Sequence, residues 1–588
     1  MKRFWSGAVV LVSMAVGCCS SDDSSITPDS GLDAGSDGGS DTDSDGGTGS
    51  GIKPRLVSPL STTMIPSLRP TFRWVGGTDD TFTLIISTSN SLEDPEYTWQ
   101  GQGFSHTPDV DLAPGSHFWR VSVPNNPVDS ESSCVWELFI GQREYDVDGD
   151  LYSDLLLGSI QGGWFYVFKG GIDFGGEYST SDADVRIDPS PNSFGNICTS
   201  YSDVTGDGKA DVVFNQAMGN GGIYFCDIAD SSGDISYGAC NNLADDVEVQ
   251  EDNFGGALST SGDFNRDGFF DLATAAPQAT IVDSSEGIVY FYSMVGEPTS
   301  SISAREDYLF SFIGNTAWEA VRPLDFVRDM NGDGFSELVV GASMSEAGAW
   351  MILGGEELPQ INELDVADVQ FLKVDSDDKW FGCTDGDDIN DDGYGDMLAI
   401  HENADGYWGG ILYGRDEFPA EIGFSDLAVK ILLPGEISIF TTTKITGLGD
   451  VNGDGYPDFS ITQIGNLGTA WEPDVDPLGA VYVFYGGPDL PEEMVADDAD
   501  VKIAGNGDPW FAHYATSIGD VNGDGFKDFA VSATGDPLGS DDTFPGRVFI
   551  FFGGPTLETK ETADQADAII TAEMPDEVLG VCINRGGV

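Results

Sequence analysis

Seven times along this chain an Asp opens a nine-residue stretch with further oxygen-bearing side chains at its third, fifth and ninth positions. The last stretch reads Asp520-Val521-Asn522-Gly523-Asp524-Gly525-Phe526-Lys527-Asp528. The others begin at Asp146, Asp203, Asp263, Asp329, Asp388 and Asp450, and successive starts are 57, 60, 66, 59, 62 and 70 residues apart. Alternate residues of a tight loop can bring several oxygens to one point, which is what a hard cation such as Ca²⁺ takes as ligands. A Gly after the third of these side chains supplies the positive φ that such a turn requires. A pattern at a nearly fixed period restricts the chain to a repeat architecture.

Each loop runs into a short apolar stretch of β character, such as Leu155-Leu156-Leu157, Val212-Val213-Phe214 or Phe529-Ala530-Val531. An aromatic strand follows, as in Phe165-Tyr166-Val167-Phe168 and Val548-Phe549-Ile550-Phe551. Gly-Gly often closes it, as at Gly170-Gly171, Gly354-Gly355, Gly486-Gly487 and Gly553-Gly554. A third strand comes next (Val185-Arg186-Ile187, Val501-Lys502-Ile503), and a fourth, often opened by Phe-Gly as at Phe194-Gly195, Phe254-Gly255 and Phe381-Gly382, leads into the next loop. Four short strands in about 62 residues make a propeller blade, and no useful helical period appears. An EF-hand needs a bidentate Glu at position twelve. Leu157, Phe214, Thr274, Val340, Ala399, Ile461 and Val531 stand there instead, which excludes it, and the β-type runs exclude dockerin-like loops, which helices follow.

In combination the loops, the four-strand period and the Phe-Gly pairs resemble the FG-GAP repeats of the integrin α-subunit head, a seven-bladed β-propeller. The resemblance covers residues 143–588. It implies Ca²⁺, at up to seven sites, held by the side chains at positions one, three, five and nine with the backbone carbonyl of position seven. The implied ligands are Asp146, Asp148, Asp150 and Asp154 in loop one; Asp203, Thr205, Asp207 and Asp211 in loop two; Asp263, Asn265, Asp267 and Asp271 in loop three. They continue with Asp329, Asn331, Asp333 and Glu337 in loop four; Asp388, Asn390, Asp392 and Asp396 in loop five; Asp450, Asn452, Asp454 and Asp458 in loop six; and Asp520, Asn522, Asp524 and Asp528 in loop seven. Three departures stand out. Leu151 replaces the turn Gly of loop one, so that turn is either strained or differently shaped; Thr205 is a weaker neutral ligand; Glu337 reaches further than Asp. Loops three, five, six and seven follow the pattern most fully.

The ends of the repeat region fit one another. Leu579-Gly580 takes the place of Phe-Gly, and Gly580 lies eight residues before Val588, as Gly195 lies eight before Asp203. The stretches Ala568-Ile569-Ile570 and Val581-Cys582-Ile583 are therefore expected to complete the blade that starts at Asp146, which removes an open sheet edge.

Residues 53–142 carry short β-type runs between Pro and Gly turns: Thr71-Phe72-Arg73-Trp74, Phe82 to Ser87, Ser116 to Val123 and Cys134 to Ile140. They suggest a small β-sandwich and resemble a fibronectin type III or immunoglobulin-like module. The expected fold class is all-β, a seven-bladed β-propeller preceded by this sandwich. Residues 1–17 read as a secretory signal, with Lys2 and Arg3 ahead of an apolar stretch too short to span a bilayer. Ala15-Val16-Gly17-Cys18 resembles a bacterial lipoprotein cleavage site, which implies lipidation of Cys18. Residues 18–52, almost all Ser, Asp, Gly and Thr after the Cys pair, form a flexible tether. The expected location is the bacterial cell envelope, lipid-anchored, at the outer membrane or cell surface. Cys226 and Cys240 are the most plausible local disulfide in an exported chain.

The formal charge of −75 repels nucleic-acid phosphate and does not favour anionic lipid headgroups, so no nucleic-acid partner is expected and membrane contact is expected through the anchor alone. Four His lie far apart, and no nucleophile elbow, zinc helix or phosphate loop is present, so no enzyme is expected. The expected function is a Ca²⁺-binding, monomeric, surface-anchored propeller that binds a protein or glycan in adhesion or envelope organisation. Trp318, Trp380, Tyr407, Trp408, Trp471 and Trp510 are contact candidates on the face opposite the loops, with blade core as the plainer reading for each. A polysaccharide- or lipid-acting hydrolase with the propeller as scaffold, and a structural spacer, are the alternatives.

Overall fold

A computed structural model describes residues 53–584 apart from 79, 124–131, 160–162, 189–197, 200–202, 216–221, 245–253, 278, 280–286, 295–301, 304–309, 314–323, 342–347, 357–366, 373–378, 434–443, 465–477, 509, 535–544 and 575–576. The signal segment, Cys18, the tether, Trp318 and Trp471 lie outside the described residues.

Residues Arg55 to Ile140 form two sheets. One joins Arg55–Ser58, Phe72–Val75 and Ser105–His106; the other joins Thr63–Ile65, Trp136–Ile140, Gly115–Ser122, Phe82–Ser87 and Tyr97–Gly101. In Phe72–Val75 buried and exposed residues alternate, because successive side chains leave a strand on opposite faces. Phe72, Trp74, Leu84, Trp119, Trp136 and Leu138 fill the space between the sheets.

The rest of the described chain is seven further sheets, each built around one acidic loop. In the seventh, Phe511–Gly519 leads into loop seven, Asp528–Ala533 leaves it, and Arg547–Phe551 and Ala568–Thr571 follow, all antiparallel. Most sheets also take a fifth strand, in parallel, from the repeat that follows; Gly233–Ser236 beside Val185–Asp188 is one example. Neighbouring sheets share their apolar contacts. Leu338 packs toward sheet three with Phe264, Ala273 and Phe291, whereas Val339, one residue on, packs with Met397 and Ala399 of sheet five. Such clusters link sheets one and two, then each successive pair, and finally seven and one, so the sheets form a closed β-propeller ring.

Closure uses two strand pairings. Leu579–Ile583 lies against Leu155–Ser159 as the inner strand of sheet one, as expected. The other half of the expectation is corrected: Ala568–Thr571 pairs with Arg547–Phe551 and is the outer strand of sheet seven. It meets sheet one through Gly176–Ser179, which adds to its free edge, and through the apolar cluster that Ala568 and Ile570 share with Leu155 and Leu157. Pairing follows the nearest antiparallel partner, and a turn after Phe551 brings Ala568 back before the chain crosses over. The Cys226–Cys240 disulfide is present, and a second bridge, Cys198–Cys582, ties the closing strand to sheet two.

Candidate metal centres

Each acidic loop folds the same way because its own carboxylates accept hydrogen bonds from its own backbone. In loop seven Asp520 accepts from the Asp524 and Gly525 N–H groups, both at 3.0 Å. Asn522 Oδ1 accepts from Asp524 N–H at 2.8 Å, and Asp524 from Phe526 N–H at 3.0 Å. Asp528, at position nine, reaches back to Val521 N–H and across to Gly553 N–H, both at 2.9 Å. Gly553 opens the Gly-Gly pair, which gives that motif its reason: a Cβ there would lie 2.4 Å from the Lys527 carbonyl. The sixth position has φ between +89° and +96° in loops two to seven, where it is Gly. Leu151 takes the same conformation at φ 68°, so loop one keeps its shape under strain rather than changing it.

The loops are chained to one another around the ring. At most junctions the N–H at position eight of one loop donates to the position-one carbonyl of the loop before it: Ala210 to Asp146 at 2.8 Å, Ser336 to Asp263 at 3.2 Å, Gly395 to Asp329 at 2.7 Å, Lys527 to Asp450 at 3.1 Å; loop six has Pro457 there and cannot donate. Ser153 to Asp520, at 3.1 Å, carries the chain across the closure from loop seven to loop one.

Carboxylates brought this close, and buried, resist ionisation. Burial pushes Asp388, Asp458 and Asp528 up to about 8, with the other carboxylates of each loop adding to the effect and backbone N–H groups opposing it. The same cause raises Asp203 and Asp263 to about 6 and holds Asp154, Asp211, Asp271, Asp329, Asp396 and Glu337 well above the usual carboxylate range. A cation is the counter-charge such a cluster lacks.

The donor set fits a hard divalent cation, being carboxylate and amide oxygen apart from the Thr205 hydroxyl of loop two. Oxygens of Asp146, Asp148 and Asp154, and of Asp329, Asp333 and Glu337, lie within 4.8 Å of one another. These are loops one and four, not the four that follow the sequence pattern most fully. Loop one has an acid at position three where the others carry Asn or Thr, and in loop four Glu337 has the longer arm. Asp271 Oδ1 and Glu337 Oε1 are buried without a well-formed hydrogen bond, although the Met294 and Gly354 N–H groups point toward them. Thr205 is turned inward: its hydroxyl lies 3.3 Å from Asp211 Oδ1 and donates to it.

Several residues at the loops escape the sequence pattern because they come from elsewhere in the chain. Arg143 donates to Asp520 Oδ2 at 2.5 Å, and Lys169 lies 3.1 Å from Asp148. The sandwich sits on loops three, four and five. Arg73 grips Asp391 with two hydrogen bonds of 2.9 and 2.7 Å, Ser61 donates to the Gly334 carbonyl at 2.8 Å, and Arg266 donates to the Val135 carbonyl at 2.7 Å. Phe139 stacks on Phe270 at 4.6 Å. Loops six and seven remain open to solvent at Asn452, Asp454, Asn522 and Asp524.

Among the aromatic candidates for the opposite face, Trp380 is core, wedged between Phe371 and His401. Tyr407, Trp408 and Trp510 are half-buried.

The FG-GAP repeat family matches residues 254–292 and 514–551. These spans hold loops three and seven with the strands on either side of them. This chain carries FG-GAP repeats. A crystal structure of a DUF4784 family protein from Bacteroides caccae ATCC 43185 aligns over 88% of this chain and 98% of that one, at 9% identity and a TM-score of 0.24, which is too slight a likeness to bear on the fold. FG-GAP repeats mark a β-propeller-type binding or structural module.

Proposed function

We propose that this protein is a Ca²⁺-stabilised, surface-anchored propeller that binds a protein or glycan in adhesion or envelope organisation. The observation that carries the reading is the ring of acidic loops, most of them linked through their backbones, in which buried carboxylates outnumber the Arg and Lys side chains that reach them. Ca²⁺ would be held by the side chains at positions one, three, five and nine, from Asp146 to Asp528. Its chemistry here is charge neutralisation and cross-linking. The chain's own contribution is to hold the oxygens together before the ion arrives, at the cost of mutual repulsion. With one face occupied by the loops and the sandwich, the opposite face is left for a partner, and Tyr407, Trp408 and Trp510 supply aromatic surface of the kind interfaces use. The lipidated Cys18 and the tether would hold the folded part off the membrane as a monomer.

The test is a thermal melt of residues 53–588 in Ca²⁺, in Mg²⁺ and in chelator, followed by a glycan array and pull-down in whichever ion stabilises. Binding to the native state alone adds about 2.7 kcal/mol per site at a hundredfold excess over Kd. A large rise specific to Ca²⁺ is expected. Identical melts in all three would reduce the loops to turns and remove the support for the reading. A Ca²⁺-dependent melt with no captured ligand would favour the structural-spacer alternative.

A further inference from the structure

We propose that Glu137, contributed by the sandwich, is a ligand of the cation in loop three, so that one ion fastens the two folded units together. This rests on the reading of the loops as Ca²⁺ sites.

Glu137 belongs to Trp136–Ile140, a strand whose five residues are all buried. It is itself wholly inaccessible, an unusual place for an acid. Its Oε1 accepts a hydrogen bond from the Ser116 hydroxyl, but no donor reaches Oε2. The carboxyl instead lies beside that of Asp263, position one of loop three, close enough for each to act on the other. Two carboxyl groups cannot face each other through bare oxygens: either a proton or a cation must lie between them. The nearest positive side chain, Arg266, is directed at the Val135 carbonyl and at Glu356. Glu137 therefore adds its charge beside Asp263, which already feels Asp267 and Asp271 of its own loop, with Arg266 the guanidinium nearby.

Position one of another loop shows the contrast. A neighbour also reaches Asp520 in loop seven, but it is Arg143, a cation that supplies the missing charge. At loop three the incoming group is an acid, which worsens the repulsion in the absence of metal and raises the ligand charge when metal is present. The four side chains and one carbonyl of the loop give five oxygens, and Ca²⁺ takes six to eight, so a further carboxylate has a place. Gly268, at position six, brings the loop backbone against the same carboxyl: a Cβ there would stand 3.7 Å from Glu137 Oε1.

The proposal is tested with Glu137→Gln, which keeps the shape and removes the charge. In chelator the variant should melt at or above the wild-type temperature, because a like charge has gone. In saturating Ca²⁺ it should melt below wild type. Calorimetric titration should show one site weakened by at least about tenfold and the others unchanged. Trypsin should then cleave at Arg143, in the link between the units, faster in the variant than in wild type. Glu137→Asp keeps the charge on a shorter arm and should weaken the same single site, which covers failure of the Gln variant to fold. Wild-type and variant isotherms that superimpose would overturn the role of Glu137 while leaving the loops as metal sites. A wild-type protein that takes up no Ca²⁺ would overturn both.

Discussion

Removing the chain from Val578 onward should open the ring. The lost strand buries Leu579, Val581 and Ile583 at 2% exposure or less. Burial of each such side chain is worth about 1.5–3 kcal/mol, so the three together contribute roughly 5–9 kcal/mol. Asn584 goes with them. Its Oδ1 accepts from Leu156 N–H at 2.6 Å and its Nδ2 donates to the Asp154 carbonyl at 2.8 Å. Leaving those two groups unpaired adds about 1–3 kcal/mol apiece. The sum rivals the whole stability of an ordinary domain, about 5–15 kcal/mol. The truncation also bares the edge of Leu155–Ser159, a template for pairing with another copy. Denaturant unfolding in saturating Ca²⁺, with light scattering to read the mass, should show an early, broadened transition and association. The Cys198–Cys582 bridge is lost as well, so a full-length Cys198→Ser/Cys582→Ser control isolates its share, at most about 5 kcal/mol. A truncated protein that stays monomeric with the wild-type midpoint would refute the closure argument.

Three further outcomes follow from individual contacts. Leu151→Gly relieves a left-handed backbone at φ 68° on a side chain 41% exposed, and should raise stability by about 1 kcal/mol; a lower melting temperature would contradict the strain. Asn584→Ala, which strips both ends of the Leu156 and Asp154 contacts from a fully buried side chain, should cost about 2–4 kcal/mol in a denaturant melt, and a loss below 1 kcal/mol would mean that water replaces the amide. In chelator the protein should lose stability as pH rises. Asp388, Asp458 and Asp528 stand near 8 when folded and near 4 when unfolded, so between these values the native state binds more protons and each unit of displacement is worth about 1.4 kcal/mol in favour of low pH. Saturating Ca²⁺ should flatten or invert that slope, and a chelated melt that rises from pH 5 to pH 8 would show that these acids are not held protonated.

Much of the fold was legible because its signals are local. The spacing of Asp520, Asn522, Asp524 and Asp528 is set within nine residues, and the β-type run after it within a few more. The place of Leu579-Gly580 could be read because the period itself counts residues. Ala568–Thr571 was misplaced because an outer strand and a closing strand look alike in sequence, and only the pairing with Arg547–Phe551 separates them. Leu151 showed the limit of a pattern rule: the departure was visible, but whether the turn would change shape or bear the strain depended on the four carboxylates around it.

The sequence alone determined that this chain is a β-repeat of seven acidic loops, since side-chain spacing and turn chemistry act over a few residues. Tertiary structure alone decided which loops are covered and by what. Glu137 meets Asp263, and Arg73 meets Asp391, across sequence separations for which spacing carries no information. Such contacts arise only when two finished surfaces dock, and their energies depend on the burial and charge that docking creates.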